Sequence, residues 1–222
     1  MDAVIKIGGS LAENPEQLQV LCRKVGELAK KYAVIVVPGG GRFADVVRDF
    51  DQRFGLSSVV SHRMAILAME QFGLLLSDKM PNSRVFVHFD EAEEFVEGKT
   101  APIFLPSRLM FEEDPLENSW NVTSDSIAAY VAKRVDAEKL ILVTDVDGVF
   151  TKNPKKADNT TLIKMLRAEE LLMINHRTGV DNFLPKLLLK AQLECYVVNG
   201  KYPARIKAIL AGQSTTCTLI RK

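Results

Sequence analysis

The fold is decided by AVIVVPGGGR, residues 33–42. Residues 33–37 form a continuous apolar run of strand length, which Pro38 stops. Gly39, Gly40 and Gly41 follow at once, and a helix is expected from about residue 43 to 54. Outward from this βα unit the pattern repeats. Strands are expected at 4–7, 84–89, 103–105, 140–144, 195–198 and 216–220. Helices are expected at 15–31, 57–76, 123–134, 167–173, 182–193 and 203–210, with Thr123 or Ser124 capping the one that ends at Arg134. Strands alternating with helices predict an α/β fold, its mainly parallel sheet covered on both faces. No linker, repeat or low-complexity tract divides the chain, so one domain is expected, with ligands bound beyond the carboxyl ends of the strands.

Composition narrows the function classes. Of 222 residues, 47% are hydrophobic, enough for a large core. With 29 basic and 28 acidic residues the formal charge is +1, which gives no basis for a nucleic-acid or membrane-surface partner. Asp2, Lys6 and Gly8-Gly9-Ser10 interrupt the apolar start, so no signal peptide is expected. No uninterrupted apolar run reaches the roughly 18 residues of a membrane span. Cys22, Cys195 and Cys217 lack metal-ligand spacing and are expected to be buried free thiols in a reducing cytoplasm.

Four of the five segments suited to phosphate chemistry fall at strand ends or in nearby loops. Lys6 leaves the first strand just before Gly8, Gly9 and Ser10, where missing Cβ atoms let backbone N–H groups turn toward a phosphate. Gly39, Gly40 and Gly41 precede a helix start, where free N–H groups and the helix dipole favour an anion. No Gly-Lys-Ser/Thr follows, so this is not a P-loop. The weak match to a dinucleotide fingerprint, Gly39-x-Gly41-x-x-Ala44, lacks a following strand that ends in an acid. Asp125 lies in the first turn of the helix after Asn121-Val122-Thr123-Ser124, where it can orient cations. The segment Val143-Thr144-Asp145-Val146-Asp147-Gly148-Val149-Phe150, with Lys152 and Pro154 just beyond, ends a strand in two acids and a glycine turn. Lys186 lies early in an amphipathic helix, after Thr178-Gly179. Phosphoryl transfer needs positioning and positive charge more than covalent chemistry, and lysines, glycine turns and one carboxylate suffice. His62 and His88 fit helix and strand patterns, His176 a polar loop, and no nucleophilic triad competes.

Together these segments resemble the amino-acid-kinase superfamily, from about residue 4 to 220. KIGGSL, the GGG turn and LVTDVDGVF occur in the family's order. The resemblance implies an open αβα sandwich, a carbamate-kinase-like fold with about eight mainly parallel strands. It implies an ATP-dependent kinase, with Mg²⁺ arriving on the ATP and no protein metal site. Lys6 would contact the transferring phosphoryl, Asp125 would hold the lysines, and Lys186 would reach the ATP phosphates. Gly8, Gly9 and Ser10 would line those phosphates. Thr144, Asp145, Asp147, Gly148, Val149, Phe150, Lys152 and Pro154 would surround the nucleotide. Gly39, Gly40 and Gly41 would cradle the acceptor, with Asp45 or Asn121 meeting an ammonium on it. The acceptor-binding lobe would span about residues 1–135 and the ATP-binding lobe about 136–222. The family often has a Gly-rich, Met-containing stretch before its second lysine; here Thr178-Gly179-Val180-Asp181-Asn182-Phe183-Leu184-Pro185 stands there.

Residues 118–129 are similar to the kinase group of methanofuran biosynthesis. That implies a phosphate-monoester acceptor such as [5-(aminomethyl)furan-3-yl]methyl phosphate, converted to its diphosphate. Kinases of uridylate or isopentenyl phosphate, or of carboxylates such as acetylglutamate, are the alternatives. A non-catalytic nucleotide- or oxyanion-binding protein of the same fold is the rival of another class. A cytoplasmic homo-oligomer is expected.

Overall fold

The computed structural model describes residues 1–97, 99–153, 157, 159–174, 179–191 and 193–222. The first half of the chain runs β1 (Ala3–Ile7), a 3₁₀ turn (Gly9–Glu13), α1 (Pro15–Ala29), β2 (Val34–Pro38), α2 (Gly41–Phe54), α3 (Ser58–Lys79), β3 (Ser83–Phe86), α4 (Asp90–Glu97), β4 (Ala101–Phe104) and α5 (Ser107–Glu112). The second runs α6 (Ser124–Arg134), β5 (Lys139–Thr144), β6 (Met165–Arg167), α7 (Ala168–Leu172), α8 (Leu184–Leu188), β7 (Glu194–Asn199), α9 (Ala204–Leu210) and β8 (Thr218–Arg221).

The strands form one eight-stranded sheet in the order β3-β4-β2-β1-β5-β7-β8-β6. Every paired neighbour is parallel except β7 and β8. The α/β sandwich expected from the alternation is present. Alternation along β1 divides the core. Ala3, Ile5 and Ile7 pack with α1 and α9 on one face, while Val4 packs with α6 and α8 on the other. Lys6 follows Val4 by two residues, so it projects toward α6.

β1 lies between β2 and β5, with Ile7 in register with Pro38 on one side and Val143 on the other. The chain leaves β1 toward β2 and later returns to add β5 on the far side. That switch point opens a crevice at the carboxyl ends of β1, β2 and β5. The glycines prolong the ladder into the crevice: Gly8 N–H donates to Val143 O and Gly39 N–H to Ile7 O, each at 2.8 Å.

Some elements differ from expectation. β6 is three residues long, was not expected, ends at Arg167 where the helix was expected to begin, and pairs only with β8. The helix expected at 182–193 is the five-residue α8, in which Pro185 stands in the first turn. α4 and α5 fill the β3–β4–α6 connections, which short polar-apolar mixtures did not mark as helical. By length and composition α3 could cross a bilayer. Here Ile66, Met69, Phe72 and Leu76 bury its inner face in the core, and Arg63 and Glu70 interrupt the apolar run. Cys22 and Cys195 are buried, but Cys217 is only half-buried. Burial pushes the Cys22 thiol up to about 12, so it stays protonated and unreactive. Burial also lowers the His62 pKa and keeps that ring neutral, consistent with a structural role.

Candidate active site

The switch point holds a cleft of about 680 Å³, a volume suited to a small-molecule site. Lys6 forms one wall. Its ammonium meets Asp125 Oδ1 at 2.7 Å, and both residues are almost fully buried, at 8% and 5% exposure. Two local choices place the pair. The pleat of β1 sends Lys6 to the α6 side, and Asp125 occupies the first turn of α6, where the helix dipole favours a carboxylate. The Lys6 ammonium also lies 3.8 Å from the point a Gly8 Cβ would occupy, so a bare Gly8 leaves the ammonium open to the cleft.

The two glycine turns pack on each other. A Cβ on Gly9 would fall 2.0 Å from Gly41 N, and one on Gly39 would fall 2.7 Å from Gly9 N. Gly41 adopts φ +55°, which glycine reaches at low cost. Gly40 does not: its φ is −88°, and its added Cβ would meet Ala44 Cβ at 2.5 Å. Gly40 is therefore fixed by packing against its own helix, and the positive-φ requirement belongs to Gly41.

The structure brings Lys6, Gly8, Gly9, Ser10, Gly40, Gly41, Asp45, Asp125, Thr144, Asp145, Gly148 and Phe150 to the cleft lining. Other candidates stand back. Gly39 is a link between the turns. Asp147 turns to the end of β7, accepting from Asn199 Nδ2 at 3.1 Å and pairing with Arg205. Val149 is fully buried, its N–H donating to Thr218 Oγ1 at 2.8 Å. Gly148 lies over the same hydroxyl, so close that a Cβ has no space. Lys152 is exposed and outside the lining. Pro154 and His176 lie outside the described residues. Asn121 is committed elsewhere: its carbonyl accepts from Phe183 N–H at 3.2 Å and its Oδ1 from Asn182 Nδ2 at 3.4 Å.

Lys186 is the main departure. Its Nζ lies 5.1 Å over the Phe183 ring, and Lys186 is not among the lining residues. α8 buries Leu184, Pro185 and Leu188 into the core, which turns Lys186 to the exposed side. Asp125 thus meets Lys6 and not Lys186.

Two functional candidates were not singled out by the sequence reading. Trp120, the chain's one tryptophan, lines the cleft beside Asp45, Arg48 and Met69. Its indole N–H donates to Asp51 Oδ2 at 2.6 Å, and the Arg48 guanidinium lies 4.6 Å over its ring. Its uniqueness beside the Asn121–Asp125 motif was the available signal. The second is Asp181. Its carboxylate, not Thr123 or Ser124, caps α6: Oδ2 accepts from the N–H groups of Thr123 and Ser126, each at 2.9 Å. Burial and the Asp125 charge push the Asp181 carboxyl up from its usual range, opposed by these hydrogen bonds.

Among the lining residues the cations are Lys6, Arg42 and Arg48, facing Glu13, Asp45, Asp125, Asp145 and Asp181. Arg42 is already bound to both Glu13 oxygens, at 2.7 and 2.6 Å, and Arg48 to Asp45 at 2.8 Å. A polyanion entering this acidic cleft therefore needs cations of its own. Among the described residues no group of three or more His, Cys, Asp or Glu side chains could hold a metal ion.

The amino acid kinase family profile matches residues 1–199. The chain is 35% identical over 218 residues to [5-(aminomethyl)furan-3-yl]methyl phosphate kinase of Methanocaldococcus jannaschii, covering 98% of this chain and 96% of that one. It is 26% identical to the uridylate kinase of Archaeoglobus fulgidus, over 94% and 95% of the two chains. The crystal structure of uridylate kinase from the same organism superimposes with a TM-score of 0.79 over 99% of this chain and all of that one.

Proposed function

The chain belongs to the amino acid kinase family, and on that footing we propose that it transfers the γ-phosphoryl of ATP to a small phosphate monoester, [5-(aminomethyl)furan-3-yl]methyl phosphate, giving the diphosphate. The observation that carries this is the buried Lys6–Asp125 pair at the mouth of two interlocked glycine turns. The Lys6 ammonium faces the oxygens of the transferring group, where negative charge must be held through in-line transfer. Asp125 keeps that ammonium aimed. Backbone N–H groups of Gly9 and Ser10 meet the ATP phosphates, and Gly8, whose own N–H is held by Val143 O, leaves room for their close approach, while Thr144, Asp145, Gly148 and Phe150 flank the nucleoside. Mg²⁺ held on the ATP phosphates neutralises their charge. The C-terminal lobe, about 136–222, is the ATP side, and about 1–135 the acceptor side.

On the acceptor side the phosphate lies at the free N–H groups of the α2 N-terminus. The furan ring lies along Trp120 and the ammonium pairs with Asp45. The Asp45 side chain is 69% exposed, so this pair is weak until the acceptor covers it. The expected kcat/KM advantage over uridylate, isopentenyl phosphate or acetylglutamate is therefore about tenfold, equal to about 1.4 kcal/mol. An ADP-release assay against these four acceptors tests it. A win for uridylate, the acceptor of the kinase whose fold superimposes, overturns the acceptor but keeps the kinase. No ADP release with any of them favours a non-catalytic binding protein.

The protein works as a homo-oligomer in the cytoplasm. Phe43, Val46, Phe50 and Phe54 form an exposed apolar stripe along α2, and Val60, Leu67 and Leu74 repeat at seven-residue steps on α3. Light scattering is expected to give at least twice the 24.7 kDa chain mass, falling to the monomer in Phe50→Glu. A monomeric wild type overturns this assembly.

A further inference from the structure

The carboxylate of Asp181 collects six donors among the described residues. Oδ2 accepts from Thr123 N–H at 2.9 Å, Thr123 Oγ1–H at 3.0 Å and Ser126 N–H at 2.9 Å. Oδ1 accepts from Ser126 Oγ–H at 2.6 Å, Phe183 N–H at 3.2 Å and Leu184 N–H at 2.8 Å. Two loops 55 or more residues apart thereby share one side chain. The backbone N–H of Asp181 itself donates to Asp125 Oδ2 at 3.1 Å, leaving Oδ1 for Lys6. An unbroken relay runs from the first turn of α6, through Asp181, to Asp125 and the Lys6 ammonium.

We propose that Asp181 is a positioning residue for phosphoryl transfer, pinning residues 181–184 to the start of α6 so that its N–H fixes the plane of Asp125 against Lys6. This rests on the kinase reading above. The requirement for a carboxylate is stringent. Each oxygen faces two backbone N–H groups, which can only donate. An amide in either flip turns its NH₂ on two of them, so asparagine keeps the shape and breaks the relay. A helix cap without this second task would support stability and leave turnover alone.

Asp181→Asn, Asp125→Asn and the double variant separate the two roles. Asp181→Asn is expected to lower kcat by about tenfold or more while either KM changes less than about threefold, and the double variant to fall no further than Asp125→Asn within about twofold. Independent, multiplying losses would overturn the proposal, as would full kcat in an Asp181→Asn variant that merely melts earlier. Should Asp181→Asn fail to fold by circular dichroism, Ser126→Ala removes a single donor. It is expected to lower kcat in the wild-type background and not in Asp125→Asn; no loss in either overturns the proposal. Wild-type kcat in Asp125→Asn itself would overturn the kinase reading of the site and this proposal with it. A normal Asp125→Asn loss beside an active, folded Asp181→Asn overturns the proposal alone.

Discussion

Lys6→Met is expected to lower kcat by about 10²-fold or more, the scale of a lost transition-state charge contact. Methionine keeps the unbranched stem of lysine to within one atom of its length and removes the charge, so the cleft wall keeps its shape. The effect should fall on kcat rather than on the KM for ATP, because in the function proposed above the glycine-turn N–H groups would still hold the ground-state phosphates. The variant also carries a pH signature. Burial and then the Asp125 charge already push the Asp181 carboxyl up, and without the ammonium that charge is no longer offset by its ion pair. An acid raised in the folded state favours folding while protonated, and that contribution is lost as pH rises through the raised value. Lys6→Met should thus lose more stability relative to wild type at pH 8 than at pH 5, measured by urea melts. Turnover near that of wild type would remove Lys6 from the mechanism.

Gly9→Ala is expected to disable binding of both substrates. Its methyl group would sit 2.0 Å from Gly41 N and 2.2 Å from Gly41 Cα, and both obstructing atoms are backbone. The turns after β1 and β2 must then separate, and the N–H groups that converge from them diverge. Overpacking of this kind costs about 1–3 kcal/mol, which for a chain of this size lowers Tm by roughly 2–12 °C. Gly55→Ala is the control. It has φ +60°, with nothing within 4 Å of its added Cβ, so it carries backbone strain alone and leaves both KM values unchanged. A Gly9→Ala enzyme with wild-type KM for ATP and acceptor would show that the turns do not act as one cradle.

Ala33–Val37 illustrates how far local pattern reaches. An apolar run closed by Pro38 and three glycines reads as a buried strand feeding a turn, because burial on both faces removes polar residues from it. The same reading located β1 and β5, since each ends at glycines or acids that cannot continue a buried strand. The helix at 182–193 failed for the opposite reason. Its apolar spacing is real, but those side chains serve a short turn packed under α6 and α7, and Pro185 limits the helix. β6 was invisible because three residues carry no period.

Within the cleft the same division holds. The sequence by itself determined the strand–glycine turns, Lys6 on a strand and Asp125 in a helix first turn, because spacing, glycine and helix-start chemistry are local. Only the tertiary structure decided that Asp125 meets Lys6 and not Lys186, that Gly9 packs on Gly41, that Trp120 lines the cleft beside Asp45, and that Asp181 caps α6. Each of these depends on which segments the sheet order brings to the β1–β5 switch point. That order is set by burial of whole faces, which no window of neighbouring residues records.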